Sequence, residues 1–254
     1  MTVLRPRRNL GFGAACNLAL EHVDTDVVAF VNPDVEVTTD ALSELSARVS
    51  ASTGLIAPSL VLGSRVRSAG FHYPSPAREV ALVSRLIKNR GRSGAAPATT
   101  NRVFHPPVVG SRAKRFGSGA LVVACREDLE RLGGFDRRYF LYVEDLDIWD
   151  RARRLGLPVT FAPDIEVGHH CASASPASHA WREILRWVGV ELFVADRGGP
   201  WRVYRAVHSA GLAVAERWSP TLARPLRSLW DWAAEPNTVQ EALRPGLESG
   251  RLGS

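Results

Sequence analysis

Two short apolar runs, "DVVAFV" at 26–31 and "GALVVAC" at 119–125, constrain this chain more than any other feature. Both fall far short of the roughly twenty apolar residues that a membrane-crossing helix needs. Neither shows the strict alternation of a half-exposed strand, so each suits a strand buried in a sheet, the first of them a parallel one. Around them the periodicity changes. Ala14 to Val23 reads as a helix after a glycine-rich turn. Leu42, Leu45 and Val49 fall on one face of a helix that Thr39 or Asp40 would cap. "GLIAP" and "SLVL" are strand candidates. A short helix runs to Leu132 and stops at Gly133-Gly134, and a further strand lies near "PVTFAP". Strands alternating with helices predict a layered α/β fold.

The pattern changes after Pro176. Trp181, Ile184, Leu185, Val188 and Leu192 mark an amphipathic helix, a second spans about Trp201 to Trp218, and "LRSLWDWAA" suggests a third. This divides the chain into an α/β domain over 1–175 and a helical extension over 176–254. The extension either packs on the core or lies on a membrane surface. The opening "RPRRNLGFGAACNLAL" has the look of an export signal, but Gly11, Gly13 and Asn17 interrupt it and Glu21 follows at once. Cys16, Cys125 and Cys171 show no paired or metal-type spacing and read as buried thiols of a reducing compartment.

The net charge of +6 is unevenly placed. Ser64 to Arg115 holds eleven Lys or Arg and one acid, Glu79, which makes +10; the remaining 21 basic and 25 acidic residues make −4. A basic block of this kind attracts phosphates, whether of an anionic membrane or a diphosphate substrate. It lacks the interleaved aromatics of a nucleic-acid module, so nucleic acid is not the expected partner.

Chemistry is most concentrated in "YFLYVEDLDIWDRARRLG", 139–156. Acids in the first turn and arginines in the last suit a helix dipole, and Ile148, Ala152 and Leu155 form an apolar stripe. The adjacent Glu144 and Asp145 remain unexplained, because like charges repel unless something uses them. Two other features fall where strands end, the place where open α/β sheets bind ligands. Asn32-Pro33-Asp34 closes one strand and His169 closes another. A carboxylate and an imidazole converging there would suit a divalent cation, magnesium or manganese.

Four blocks in order resemble the inverting glycosyltransferases of family 2, most closely their bacterial rhamnosyltransferase-like members: "NLGFGAACNLAL", "FVNPDV", "GSGALVVACREDLERLGGFDRRYFLYVEDLDIWDRARRLG" and "VGHHCASAS". The resemblance implies a GT-A-type nucleotide-diphospho-sugar transferase fold with a helical C-terminal extension. It implies that Asn9, Gly11, Phe12, Asn17, Asn32 and Asp34 line the donor site, and that Asp34 and His169 hold a divalent cation, Mg2+ or Mn2+. His170 is the alternative imidazole. Asp145 would be the general base, with Gly119, Glu144 and Asp147 on the acceptor side. Family members carry two further strands ahead of the first block, so the fold is expected to be N-terminally truncated. The implied function is transfer of a sugar such as rhamnose from a nucleotide-diphospho-sugar to a glycan, cell-wall polysaccharide or polyprenyl-diphosphate-linked acceptor. The expected location is the cytoplasm, peripheral at the inner membrane face. The alternative is a catalytically impaired remnant that binds a glycan or a partner.

Overall fold

A computed structural model describes residues 2–52, 54–62, 65–66, 71–89, 115–170 and 176–218. In chain order it begins with α1 (Phe12–Leu20), β1 (Val27–Val31), β2 (Val35–Glu36), α2 (Thr39–Ser52) and β3 (Leu55–Leu62). The short β4 (Arg65–Val66) and β5 (Phe71–His72) lead to α3 (Pro76–Asn89). Then follow β6 (Arg115–Phe116), β7 (Leu121–Cys125), α4 (Arg126–Leu132), α5 (Glu144–Arg154) and β8 (Val159–His169). Two long helices, α6 (Pro176–Ala195) and α7 (Trp201–Trp218), close the described part. Most of the basic block and the third C-terminal helix expected at "LRSLWDWAA" lie outside the described residues, as does Cys171.

The central sheet has strand order β1-β7-β3-β8-β2, with β4 paired to β3. β3 and β8 run parallel and the other pairs antiparallel. The apolar run of β7 is explained by its place between β1 and β3, with Leu121 to Ala124 fully buried. Its side chains alternate between two cores. Val122 and Ala124 meet Phe135, Ile148 and Trp149 on one face, while Leu121 and Val123 meet Leu45 and Val49 of α2 on the other. The sheet is thus sandwiched between helices, the layered arrangement expected of alternating elements.

Several expectations change in detail. β1 is not a parallel strand: it pairs antiparallel with β7 and forms the sheet edge among the described residues. Val28 and Phe30 face the core, whereas Val31 remains 40% exposed. "GLIAP" and "SLVL" are one strand, β3, whose register against β8 shifts between Pro58 and Ser59. Proline supplies no N–H to the ladder, and a bulge lets the strand continue past it. Thr38, one residue before the expected caps, accepts a hydrogen bond from the Ala41 amide at 3.2 Å and caps α2. Leu155 leaves the apolar stripe of α5 and is 52% exposed, because the helix ends at Arg154.

The C-terminal helices pack on the α/β body. Val190, Phe193, Val194 and Tyr204 join Tyr139, Val143 and Leu146 in one apolar cluster. Arg197, just past α6, bonds Asp147 at 3.0 Å and Asp150 at 2.6 Å, both on α5. Behind this cluster a buried ionic network ties α3 to α6 and α7. His208 reaches Glu191 through Nδ1 at 2.8 Å and Glu79 through Nε2 at 3.1 Å, while Arg186 and Arg205 bond the same two carboxylates. No helix among the described residues is long and apolar enough to cross a membrane.

Candidate active site

The acidic loop is delivered by an unusual turn. Tyr142 and Val143 both take positive φ, 68° and 72°, and among the described residues they are the non-glycine residues that do so. A β-branched side chain in that region is strained, at roughly 1–3 kcal/mol per residue. Such strain persists only where the surroundings enforce it. On one side Phe12 N donates to the Phe140 carbonyl at 3.0 Å. Gly11 makes this approach possible: at φ 81° a Cβ there would sit 2.2 Å from that oxygen. On the other side the turn packs against α6.

Asp145 emerges from this turn as a half-buried residue in the first turn of α5. One carboxylate oxygen accepts from the Gly119 amide at 3.0 Å and the other from the Leu146 amide at 2.8 Å. Burial raises its pKa above the ordinary aspartate value, against the lowering effect of these amides. Glu144 is buried, and its Oε2 finds no hydrogen-bond partner among the described residues. Burial first, and then the neighbouring Asp145, push its pKa well up. Two adjacent carboxyls are thus held where charging is costly, a combination that favours proton uptake. Burial, with Glu144 nearby, also pushes the Cys16 thiol up to about 12, so it stays protonated and unreactive.

The sheet brings the other predicted residues to the same end of the layer. Asn32 N donates to Ala120 O at 2.9 Å, which sets the Asn32-Pro33-Asp34 turn beside Gly119 and hence beside Asp145. Val35 on β2 pairs with His169 on β8, and the His169 Nε2 lies 3.3 Å from Asp34 Oδ1. His170 points elsewhere, to Glu36 at 2.9 Å, with both side chains exposed. Asp34 and His169 therefore stand together, and His170 does not join them. Among the described residues no three His, Cys, Asp or Glu side chains are grouped to hold a metal by themselves. A divalent cation fits the pair as a partial ligand set whose remaining positions a diphosphate and water would fill. Asn32 Oδ1, buried and without a hydrogen-bond partner among the described residues, is a further oxygen donor next to them in the chain.

Two predicted site residues have their polar atoms engaged within the protein. Asn17 is buried, its amide donating to Phe135 O at 2.8 Å and its carbonyl accepting from Phe135 N at 2.8 Å. It straps α1 to the loop after α4. Asp147 is buried between Arg151 at 2.7 Å and Arg197 at 3.0 Å, so each of its oxygens is engaged by an arginine. Asn9 is exposed and accepts from the Gly11 amide at 3.0 Å, which sets the turn into α1. Phe12 lies against Gly119, near Asp145, and meets Phe135 edge-on with ring centres 5.8 Å apart. Away from this end, a cavity of about 580 Å³ opens between α1 and α4, lined by Asn17, Glu21, Arg126 and Arg137 among others.

Fold and site together define a mixed α/β domain with a central sheet and C-terminal helices. Residues 1–104 match the family described as glycosyl transferase family 2. N-acetylglucosaminyl-diphospho-decaprenol L-rhamnosyltransferases from two strains of Mycobacterium tuberculosis, CDC 1551 / Oshkosh and ATCC 25618 / H37Rv, are each 29% identical over 219 residues, 76% of this chain. The chain spans 66%, just under two thirds, of the length of these relatives. Solved structures similar to it include the mannosyltransferase PcManGT from Pyrobaculum calidifontis in complex with GDP-Man and Mn2+, with TM-score 0.47 and 17% identity over 97% of this chain and 62% of that one. Another is GalNAc-T7 with UDP, GalNAc and Mn2+, with TM-score 0.44 and 17% identity over 69% of this chain and 32% of that one. The chain is thus similar to glycosyltransferase family 2 over its first 104 residues, and to these rhamnosyltransferases over 219.

Proposed function

We propose that the chain is the catalytic body of an inverting glycosyltransferase that moves a sugar, rhamnose by its likeness to the curated relatives, from a nucleotide-diphospho-sugar to a hydroxyl of a polyprenyl-diphosphate-linked or cell-wall glycan acceptor. The observation that carries this reading is the Asp145 carboxylate, fixed by the Gly119 amide and kept reluctant to charge by burial. Asp145 takes the proton of the acceptor hydroxyl as that oxygen attacks the anomeric carbon. The bond from the anomeric carbon to the diphosphate breaks on the opposite face, and configuration inverts. Glu144 and Gly119 border the place where the acceptor hydroxyl would sit; Asn9, Gly11, Phe12, Asn32 and Asp34 border the donor.

Asp34 and His169 would hold the divalent cation, magnesium or manganese, which supplies charge neutralisation on the departing diphosphate. Replacing either by alanine should weaken nucleotide-diphosphate binding about tenfold and flatten its dependence on added cation, as read by calorimetric titration. Unchanged cation titration in both variants would remove the pair from the donor site.

The decaprenol-linked acceptor in the names of the curated relatives supports a lipid-linked acceptor here, and with it peripheral contact at the inner membrane face. Val80 on α3 and Val203 on α7 are exposed apolar residues on two helices joined by the Glu79–His208 bond, and the basic run 85–92 follows directly. Reversing Arg85, Lys88, Arg90 and Arg92 to glutamate should cut binding to vesicles containing anionic lipid, most strongly at low salt. Equal binding before and after would assign those charges to solvation alone.

A further inference from the structure

Gly189 stands in the interior of α6, where glycine is a poor helix former and needs a reason. Its surroundings give one. A Cβ at this position would lie 2.9 Å from Val143 Cγ2, 3.1 Å from Val143 Cβ and 3.3 Å from the Tyr142 carbonyl oxygen. These are the two residues held at positive φ immediately before Glu144 and Asp145. From the same helix, Val190, Phe193 and Val194 close over Val143 and Leu146. Arg197, with its guanidinium 3.6 Å from the centre of the Phe193 ring, bonds Asp147 and Asp150 on the helix that Asp145 opens. The turn is therefore pinched between the start of α1, which holds the Phe140 carbonyl, and a flat spot on α6.

We propose that α6 is the brace that sets the acidic loop, and that Gly189 and Arg197 are positioning residues for the Asp145 carboxylate. A strained turn relaxes when its support is withdrawn or pushed, and here relaxation would carry Asp145 away from the Gly119 amide. The catalytic consequence rests on the reading of Asp145 as general base; the positional one does not.

The Gly119 amide is therefore the reporter, because its hydrogen bond to Asp145 registers the carboxylate directly. In Gly189→Ala the protein should stay folded, while the Gly119 amide resonance shifts and its hydrogen exchange quickens at least tenfold. Sugar transfer should fall about tenfold in kcat with donor affinity unchanged. The pair Gly189→Ala with Val143→Gly removes the two atoms closest to the new methyl and places glycine where φ is positive. It should return the Gly119 resonance toward its wild-type position. Should Gly189→Ala not fold, Arg197→Gln makes the same test, since Asp147 keeps Arg151 and Asp150 keeps Arg154. A Gly119 amide unmoved in folded Gly189→Ala or Arg197→Gln, or unrescued by the Val143→Gly pair, would overturn the proposal. A reporter that responds as expected in a protein without transferase activity would uphold the brace and sink the general-base reading.

Discussion

Asp145→Asn is expected to cut sugar transfer by about a hundredfold or more while leaving donor binding near the wild-type level. The substitution keeps the size of the side chain and removes its capacity to take a proton. Its effect on stability has two opposed parts. The wild-type carboxylate accepts from two backbone amides, and asparagine has one oxygen to offer them, so one bond is lost. Against this, the variant no longer buries a charge beside Glu144. Unfolding by urea at neutral pH should therefore find the variant close to wild type. A residue that mattered chiefly as a helix cap would leave both activity and stability intact on replacement by asparagine.

The pH dependence separates these readings further. Both carboxyls of the pair have raised values in the folded protein. Between the ordinary carboxylate range and the raised values the folded state binds more protons than the unfolded one, so stability falls as pH rises through that window. Asp145→Asn removes part of that slope. Its stability relative to wild type should thus be least favourable at low pH, where the wild-type pair is protonated, and improve toward neutrality. Full activity in Asp145→Asn with a matching loss in Asp147→Asn would move the base to Asp147, which its two arginine partners argue against.

Much of this site can be read in the sequence because its residues announce themselves locally. Glu144-Asp145, Asn32-Pro33-Asp34 and His169 stand out through residue type and position at strand or helix ends. The bounds of α7 were also legible, since Trp201 to Trp218 carries an uninterrupted helical period. What could not be read depends on distant partners. Nothing around Asn17 tells that its amide is taken by Phe135, 118 residues on. Nothing around Asp147 shows Arg197 closing on it from 50 residues away. Likewise β1 reads as a strand, but its antiparallel partner β7 is set by the whole topology. One missed signal was present: Gly189 interrupts the apolar pattern of α6, and a glycine inside a helix costs about 1 kcal/mol relative to alanine. That expense points to a close approach, and the approach is to the acidic loop.

Replacing His208 by alanine is expected to lower the free energy of unfolding by about 2 kcal/mol at neutral pH, the scale for leaving buried hydrogen-bonding groups short of a partner. The imidazole is fully buried, lies flat on Trp187 with ring centres 5.0 Å apart, and bonds Glu79 on α3 and Glu191 on α6. Removing it takes a partner from each carboxylate and leaves a gap against the indole. Glu79 keeps Arg186 and Glu191 keeps Arg205, which limits the loss. The acid limb carries its own prediction. Burial pushes the Glu79 value up, but Arg186 and His208 outweigh it and hold Glu79 below the ordinary glutamate range. Its contribution is therefore complete above the ordinary value of about 4.3 and disappears as pH falls through the lowered one. Without His208 the folded value moves back toward the ordinary one, so the contribution is smaller and its loss is complete at a higher pH, and the variant should unfold earlier on acidification. Urea titrations across this range would show it, and a neutral-pH loss below about 0.5 kcal/mol would mean that the two arginines alone secure the carboxylates. Because the network sits behind α6, away from Val143, His208→Ala should leave the Gly119 amide resonance in place. Loss of stability with that resonance fixed, against movement of it in folded Gly189→Ala, distinguishes what holds the helices together from what aims the acidic loop.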